Sequence, residues 1–330
     1  MPPVMIAPSH LVRLQAPFLT ALLDAGYEVT YPARAVQMTE ADVLANLPGI
    51  EICLAGSEPY TRKTLEALPD LKLLARAGVG YDNIDVAAAT DLGILVTYAP
   101  GSNHEAVGEH CFMLMLNLAR NFLHHHTRIF AGEWPRHAVG NLRGKTLGLV
   151  GLGRTGKNMA TRAKSFGMSV VASEPAPDLA FIESMGVKLA SLEEVMSTSD
   201  FVSFHVPATP LTRKMVDRVT LGMMKPTAFL INASRGVVVN EDDLYEVLKA
   251  KRIAGAALDV FDKEPPGHHK LFTLDNLIAT AHVAGVDFAA RDNMALFPAQ
   301  TIVRIGLGEW PEEMIVNPEV RDRWQARWNR

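Results

Sequence analysis

The sequence has few cysteines, no long hydrophobic run and no export signal. Its two cysteines, Cys53 and Cys111, offer no disulfide framework and no metal-ligand spacing, so we expect small apolar core residues in a reducing compartment. The longest apolar run, residues 111–116, is too short to cross a membrane. Residues 1–10 lack the basic and apolar parts of an export signal, so a cytoplasmic location is expected.

Charge and length narrow the class of protein further. The formal net charge is −4, and the lysines and arginines are dispersed, so the basic surface typical of nucleic-acid binding is missing. Hydrophobic residues make up 48% of the chain and charged residues 21%, which is typical of a globular protein. Because 330 residues exceed one typical core, two domains are expected.

Residues 145–174 have the pattern strand, glycine turn, helix, strand and acid. The apolar run 146–150 leads into the turn, whose residues are Gly151, Leu152, Gly153, Arg154, Thr155 and Gly156. In a dinucleotide-binding turn the first glycine makes the bend and the second lets the backbone approach a pyrophosphate. The third glycine lets helix and strand pack closely, and the free N–H groups of the helix face the diphosphate. The alternative is a chance glycine loop, which this context disfavours.

Glu174 completes this pattern. It lies 23 residues after Gly151, where a carboxylate accepts hydrogen bonds from both hydroxyls of an adenosine ribose. A 2′-phosphate would meet this carboxylate as a like charge. The sequence therefore predicts NAD as the cofactor, in preference to NADP.

Short apolar runs alternate with helical patterns along the whole chain. Strands are predicted at residues 4–7, 28–31, 50–55, 71–75, 94–97, 146–150, 168–172, 187–189, 201–204, 228–231, 253–258 and 277–280. Helices are predicted near 11–25, 39–47, 61–68, 85–91, 104–121, 122–131, 157–166 and 287–307, followed by a polar tail. The alternation predicts an α/β protein with parallel sheets and crossover helices.

Two local patterns mimic binding sites. Gly144-Lys145-Thr146 resembles the end of a phosphate-binding loop, but it precedes a strand when it should open a helix. The consecutive histidines 124–126 point in different directions on a helix, so a partly solvated helix turn is favoured over a metal site.

Three polar residues follow predicted buried strands in the second half: Arg235, Glu264 and His282. The ends of parallel strands meet at one edge of a sheet, so these side chains are expected to converge. Arginine can hold a substrate carboxylate through two hydrogen bonds, and histidine can exchange a proton with a neighbouring carbonyl oxygen. A glutamate beside the histidine favours the protonated imidazole. Taken singly, each residue is more simply a structural ion pair, a loop acid or a core histidine.

Four motifs in order resemble the D-isomer-specific 2-hydroxyacid dehydrogenase family. They are the glycine turn with Glu174, NASRG at 232–236, LDVFDKEP at 258–265 and TAHVAG at 280–285. Two upstream segments, RAGVGYDNID at 76–85 and NHEAVGEH at 103–110, are similar to the phosphoglycerate dehydrogenase and hydroxypyruvate reductase branches. The resemblance covers nearly the whole chain.

The resemblance implies roles for single residues. Arg235 binds substrate, His282 is the acid/base, Glu264 is its partner, and the N–H groups of Val79 and Gly80 hold the substrate carboxylate. Ala233 and Asp259 approach the nicotinamide side, and Gly285 lies beside His282. The full set of cofactor contacts implied is Gly151, Gly153, Arg154, Thr155, Gly156, Glu174, His205, Val206, Pro207, Thr212, Ala233, Arg235, Asp259, His282 and Gly285. No metal is expected.

The resemblance also implies two doubly wound parallel-sheet lobes with the active site in the cleft. A flavodoxin-like substrate domain would comprise residues 1–98 and 286–330, and a Rossmann NAD-binding domain residues 99–285. The long helix of the NAD domain would form a homodimer. Three residues depart from the family pattern: Ala281 replaces proline, Thr155 replaces an aliphatic residue, and Asp287 replaces a small residue.

We therefore expect an NAD-dependent oxidoreductase that interconverts a small D-2-hydroxy acid and its 2-oxo acid. Hydroxypyruvate, glyoxylate and 3-phosphoglycerate-type substrates remain open, and specificity is expected from residues 53–60, 76–82 and 284–298. The alternative is a nonenzymatic, corepressor-like NAD(H)-sensing protein, because one fold hosts many functions. A formate dehydrogenase is a third hypothesis, but the additional substrate residues and longer amino-terminal region that it needs are not seen.

Overall fold

The computed structural model describes residues 2–328 and divides them into two compact units. One unit contains the chain up to Asn103 together with the residues from Phe288 onward, and the other is His104–Asp287. These boundaries lie a few residues beyond the predicted positions 98 and 285, because long helices begin at His104 and Phe288.

The amino-terminal part of the first unit forms a five-stranded parallel sheet. Its strands are β1 (Val4–Ile6), β2 (Val29–Thr30), β3 (Ile52–Ala55), β4 (Leu73–Arg76) and β5 (Leu95–Thr97). Its helices are α1 (Pro17–Asp24), α2 (Glu40–Asn46), α3 (Arg62–Glu66) and α4 (Val86–Asp91). The strand order β2-β1-β3-β4-β5 is the flavodoxin-like order, as predicted.

The second unit begins with two consecutive helices and continues as a seven-stranded parallel sheet. The helices are α5 (His104–Arg120), α6 (Phe122–Phe130), α7 (Arg154–Ser165), α8 (Leu179–Met185), α9 (Leu192–Thr198), α10 (Arg218–Met223) and α11 (Glu241–Lys249). The strands are β6 (Thr146–Val150), β7 (Ser169–Ser173), β8 (Lys188–Leu189), β9 (Phe201–Phe204), β10 (Phe229–Asn232), β11 (Gly255–Leu258) and β12 (Leu277–Ala279). Their order, β12-β11-β10-β9-β6-β7-β8, reverses between β6 and β9, which confirms the doubly wound dinucleotide fold.

The carboxyl-terminal residues complete the first unit with α12 (Phe288–Gly306) and α13 (Arg321–Trp328). The expectation of a polar tail was wrong for residues 321–328. This segment is helical because Trp324, 4% exposed, packs between Trp310 and Trp328, with ring centroids 5.6 and 4.9 Å away. The Arg327 guanidinium also donates to backbone carbonyl groups near the start of β4. The last two residues of the tail lie outside the described part of the chain.

No helix within residues 2–328 has the length and apolar character needed to cross a membrane. In the same residues, no group of three or more His, Cys, Asp or Glu side chains is arranged to hold a metal ion. Cys53 and Cys111 are free and fully buried, as predicted for core residues.

Candidate active site

The three glycines of the turn after β6 have the geometry that the sequence predicts. Gly151 has φ +95°, and a Cβ atom on Gly156 would lie 2.2 Å from the Gly151 carbonyl oxygen. By contrast, apart from the adjoining backbone, no atom of residues 2–328 lies within 4 Å of the position of a Cβ on Gly153. Arg154 and Thr155 open α7 immediately after this space. The tight turn, the close packing and the open approach fit a dinucleotide diphosphate.

Glu174 follows β7 and is held beside the same turn. Its Oε2 atom accepts a hydrogen bond from the Leu152 N–H at 2.7 Å, and its Oε1 atom accepts one from the Ala176 N–H at 3.1 Å. The carboxylate is therefore oriented by one backbone N–H group from the glycine turn and by another from the segment that follows β7. Its position at the end of the second strand fits a contact with ribose hydroxyl groups.

The segment after β9 lies against the glycine turn. A Cβ on Gly151 would be 2.5 Å from the His205 carbonyl oxygen and 3.2 Å from Val206 Cγ1. Burial lowers the pKa of His205 to about 4, so its ring is neutral, with Nε2 2.9 Å from Ser203 Oγ. Further along, Thr212 Oγ1 donates to the Pro207 carbonyl oxygen at 2.6 Å, which folds this loop on itself.

Glu264 and His282 form a direct pair. The distance from Glu264 Oε2 to His282 Nδ1 is 2.7 Å, and Glu264 Oε1 accepts a hydrogen bond from the Phe261 N–H at 2.9 Å. Burial raises the pKa of Glu264, but the hydrogen bonds from His282 and Phe261 and the charge of Arg235 lower it more, so the net shift is downward. Glu264 is therefore ionised at neutral pH and orients the imidazole through Nδ1.

The Arg235 loop is placed by its neighbours. Asn232, at the end of β10, donates from Nδ2 to the Arg235 carbonyl oxygen at 2.9 Å and accepts the Ser234 N–H at 3.1 Å. A Cβ on Gly236 would lie 1.9 Å from the Phe261 carbonyl carbon, so only glycine allows the two backbones to approach this closely. Ala233 lies within the same loop. These contacts place the Arg235 loop beside the segment that carries Glu264.

The loop that carries His282 is held by a buried carboxylate. Asp259 is 0% exposed and accepts hydrogen bonds from Thr280 Oγ1 at 2.5 Å, the Val283 N–H at 3.0 Å and the Ala284 N–H at 2.9 Å. Its carbonyl oxygen accepts the His282 N–H at 2.8 Å. The resemblance implies that Asp259 approaches the nicotinamide side, whereas its side chain in the structure binds the backbone of this loop.

These contacts also explain how the loop tolerates Ala281. His282 has φ +52°, a left-handed conformation that is uncommon for residues with a side chain, so the loop needs external support. Asp259 supplies that support through hydrogen bonds from outside the loop. A proline at position 281 would instead restrict the backbone of the loop itself. Gly285 follows this anchored segment and is buried.

Sequence reasoning missed His110, which lies on α5. Its Nε2 atom is 3.1 Å from Thr280 Oγ1 and 3.6 Å from Asp259 Oδ1. Burial lowers the pKa of His110, although the charge of Asp259 opposes the shift. The only sequence signal was its place in the NHEAVGEH segment, because its partners lie far along the chain.

Val79 and Gly80 belong to the first unit, in the loop that follows β4. Gly78, which precedes them, has φ +143°. Within residues 2–328, neither the Val79 N–H nor the Gly80 N–H donates a hydrogen bond to another backbone group. Successive free N–H groups form a concave anion site, which fits the carboxylate contact implied for them.

Comparison with known proteins identifies the family and the cofactor. Residues 112–284 match the family model "D-isomer specific 2-hydroxyacid dehydrogenase, NAD binding domain", which confirms NAD as the cofactor. The chain is 38% identical over 290 residues to D-3-phosphoglycerate dehydrogenase of Methanocaldococcus jannaschii, covering 87% of this chain and 55% of the relative. It therefore spans about half the length of that relative.

Two further proteins match over most of their length. Glyoxylate reductase of Thermococcus litoralis is 39% identical over 268 residues, covering 78% of this chain and 81% of the relative. The crystal structure of D-lactate dehydrogenase from Aquifex aeolicus, complexed with NAD and lactic acid, superimposes with a TM-score of 0.83 at 27% identity, covering 95% of this chain and 98% of that one. The chain belongs to the D-isomer specific 2-hydroxyacid dehydrogenase family.

Proposed function

We propose that the protein is an NAD-dependent oxidoreductase that interconverts a small D-2-hydroxy acid and its 2-oxo acid. The observation that carries the proposal is the 2.7 Å hydrogen bond between Glu264 and His282 within an NAD-binding unit. A paired imidazole at a strand end is equipped to move a proton while a neighbouring carbon exchanges a hydride. We place the protein in the cytoplasm, where the free thiols of Cys53 and Cys111 stay reduced.

The proposed roles follow from the chemistry of each group. Because Nδ1 of His282 is occupied by Glu264, Nε2 remains to donate a proton to the substrate carbonyl oxygen or to accept one from the hydroxyl. Arg235 holds the substrate carboxylate and polarises the adjacent carbonyl. The role carried over from the family resemblance to the N–H groups of Val79 and Gly80 is to bind a substrate carboxylate. NAD, when bound, supplies the hydride acceptor, and its reduced form supplies the hydride donor.

The cofactor contacts are proposed on the same basis. Gly151, Gly153, Gly156 and the first turn of α7 would bind the diphosphate, and Glu174 would bind the adenosine ribose. The remaining contacts, with roles carried over from the family resemblance, are Arg154, Thr155, His205, Val206, Pro207, Thr212, Ala233, Arg235, Asp259, His282 and Gly285. Since Glu174 would repel a 2′-phosphate, turnover with NADPH should be weaker than with NADH.

The test is NADH oxidation with glyoxylate, hydroxypyruvate, pyruvate, phenylpyruvate and phosphohydroxypyruvate, with NADPH compared in parallel. Replacing His282 by Ala should lower kcat by about 10²- to 10⁴-fold, the usual contribution of a general acid. His268→Ala, which removes an exposed histidine outside α6, serves as the matched control and should retain activity. If NADH binds but no acid is turned over, the nonenzymatic NAD(H)-sensing function replaces this proposal.

We also propose that the protein is a homodimer formed through the NAD-binding unit. Helix α6 has no buried residue, although most of its apolar side chains are large. The exposed apolar residues of α6 and the turn after it are Phe122, Leu123, Ile129, Phe130 and Trp134. A cluster of this kind on a water-exposed helix is typical of a subunit interface, and a second copy of the chain is the occupant that the family resemblance implies.

The dimer is tested by light scattering coupled to size-exclusion chromatography. Phe130→Glu should shift the mass toward the monomer, because it places a charge on a side chain that is 81% exposed in the single chain. Leu211→Glu changes a side chain that is 91% exposed elsewhere in the same unit and should leave the mass unchanged. A wild-type mass of one chain at micromolar concentration would overturn the proposal.

A further inference from the structure

Glu58 is a buried carboxylic acid in the turn that follows β3. Its side chain is 0% exposed. Oε2 accepts a hydrogen bond from the Gly56 N–H at 2.6 Å and lies 3.4 Å from the Tyr60 hydroxyl. Oε1 is buried and has no hydrogen-bond partner within residues 2–328. Burying a carboxyl group costs free energy, and here one of its two oxygens has no hydrogen bond within the described chain to offset that cost.

The turn that contains Glu58 lies next to the loop that contains Val79 and Gly80. Strands β3 and β4 are neighbours, with Ala55 opposite Arg76, so residues 56–60 and 76–80 leave the same edge of the sheet side by side. The Ala77 N–H donates to the Ala55 carbonyl oxygen at 2.7 Å.

The two segments are tied together a second time by Asn83. Its Nδ2 atom donates to the carbonyl oxygens of Gly56 at 3.1 Å and Glu58 at 2.7 Å. Asn83 lies three residues after Gly80 in sequence. The position of the Glu58 turn and that of the loop are therefore interdependent.

Arg76 connects the charge of Glu58 to this loop. Burial raises the pKa of Glu58 and outweighs the opposing hydrogen bonds and the positive charge of Arg76, so the net shift of the pKa is upward. The Arg76 guanidinium donates to the Ala77 carbonyl oxygen, and its Nη1 atom is 2.9 Å from the position of a Cβ on Gly78. The guanidinium therefore folds over the two residues that precede Val79.

We propose that Glu58 is a positioning residue for substrate binding. Its buried side chain fixes the 56–60 turn through the Gly56 N–H, acts on Arg76 through charge without a direct hydrogen bond, and thereby holds the N–H groups of Val79 and Gly80 in place for the substrate carboxylate. The carboxylate role of those N–H groups rests on the proposed function. Glu58 itself does not contact substrate and acts through Arg76 and the backbone.

The first test compares Glu58→Gln with Glu66→Gln, which alters an exposed acid of the same unit. Glu58→Gln should raise KM for the 2-oxo acid about tenfold, the usual effect of losing a charge-assisted contact, with kcat within about twofold. NADH affinity should stay unchanged in both variants, and Glu66→Gln should match the wild type. An unchanged KM, or a parallel loss of kcat and NADH affinity, overturns the proposal.

A double-mutant cycle tests whether Glu58 acts through Arg76. When Arg76 is already replaced by Met, adding Glu58→Gln should raise KM by less than about twofold, because the interaction is already lost. If the effects of the two substitutions on KM multiply in full, Glu58 acts independently of Arg76 and the proposal fails.

Amide hydrogen exchange of the unligated protein gives a readout that does not depend on turnover. Glu58→Gln should accelerate exchange about tenfold at Ala77 and at Ala99, whose N–H donates to the Gly78 carbonyl oxygen at 3.0 Å. Unchanged exchange at both amides refutes the positioning role even if the wild type proves to reduce no acid. If Glu58→Gln does not fold, Tyr60→Phe, which removes one donor to Glu58, is used in its place. It should raise KM, and the exchange rates at Ala77 and Ala99, about threefold.

Discussion

At the scale of single residues, one imidazole is oriented by two carboxylates that act in different ways. Glu264 is partly exposed and contacts the ring of His282 directly. Asp259 is fully buried and contacts the backbone around His282. The first affects the protonation of the ring, and the second affects where the ring is placed, so substitutions at the two positions should have distinguishable effects.

Replacing Glu264 by Gln should shift the pH dependence of 2-oxo acid reduction. Glu264 has a lowered pKa and stays ionised at neutral pH, so the wild-type ring has a negative neighbour. Because a negative neighbour favours a protonated imidazole, its loss should move the basic limb of the kcat profile to lower pH. Profiles are measured by NADH oxidation, with Glu183→Gln, an exposed acid on α8, as the control. An unshifted basic limb contradicts this account.

The sequence predicts residues that act through a local pattern and misses those that act through distant partners. The glycine turn and Glu174 lie within one continuous segment, so spacing alone identified them. His110 contacts Thr280, 170 positions away, and the structure was needed to show this pair. Glu58 was included only within a specificity segment, because an isolated acid gives no sign in the sequence that it is buried.

At the scale of elements, the 280–284 loop behaves as a unit with a single anchor. Three of its groups donate to the Asp259 side chain, and two of these are backbone N–H groups. Backbone donors do not change when a side chain is replaced. The loop can therefore hold His282 at a positive φ angle even though its own residues include no proline.

Replacing Asp259 by Asn should loosen this loop. The asparagine amide has one acceptor oxygen for the three donors, and its NH₂ group faces some of them. The free energy of unfolding should therefore fall by about 2 kcal/mol. We expect kcat to fall about tenfold or more with a smaller effect on NADH affinity. Thermal unfolding and steady-state kinetics measure both effects. Asp262→Asn, an exposed acid in the adjoining segment, should behave as the wild type; equal losses in both variants would contradict the anchor.

Elements with regular hydrophobic patterns were predicted better than those defined by tertiary packing. All twelve predicted strands are present, with ends displaced by no more than two residues. Helix α13 was missed because its segment is rich in arginine and tryptophan and has no apolar periodicity. Its order comes from Trp324, which packs against residues outside the helix as well as within it.

At the scale of the whole molecule, stability should fall as the solution becomes acidic. The pKa of His205 is lowered from 6.5 to about 4, so the unfolded chain takes up a proton at a higher pH than the folded protein. Stability is therefore unaffected by this group above pH 6.5, falls as the pH drops to about 4 and then levels off. The loss from this group amounts to at most about 3 kcal/mol.

The contribution of His205 is measured by urea unfolding of the cofactor-free protein between pH 4 and 7. His205→Gln should show a shallower decline of unfolding free energy than the wild type, because one titrating group is removed. His268→Gln removes an exposed histidine outside α6 and should retain the wild-type decline. Identical slopes for all three proteins would contradict the burial of a neutral ring at position 205.

The first unit is built from residues near both ends of the chain, so the two units cannot fold in the order in which their first residues are synthesised. Val4 and Leu22 share a hydrophobic core with Ala299, Ile302 and Trp324. On the ribosome, the earliest residues emerge long before the helices that cover them, whereas the second unit is continuous and can fold as it is completed. Synthesis that stops before α12 should therefore release a folded second unit attached to an amino-terminal segment that is open to proteases and chaperones.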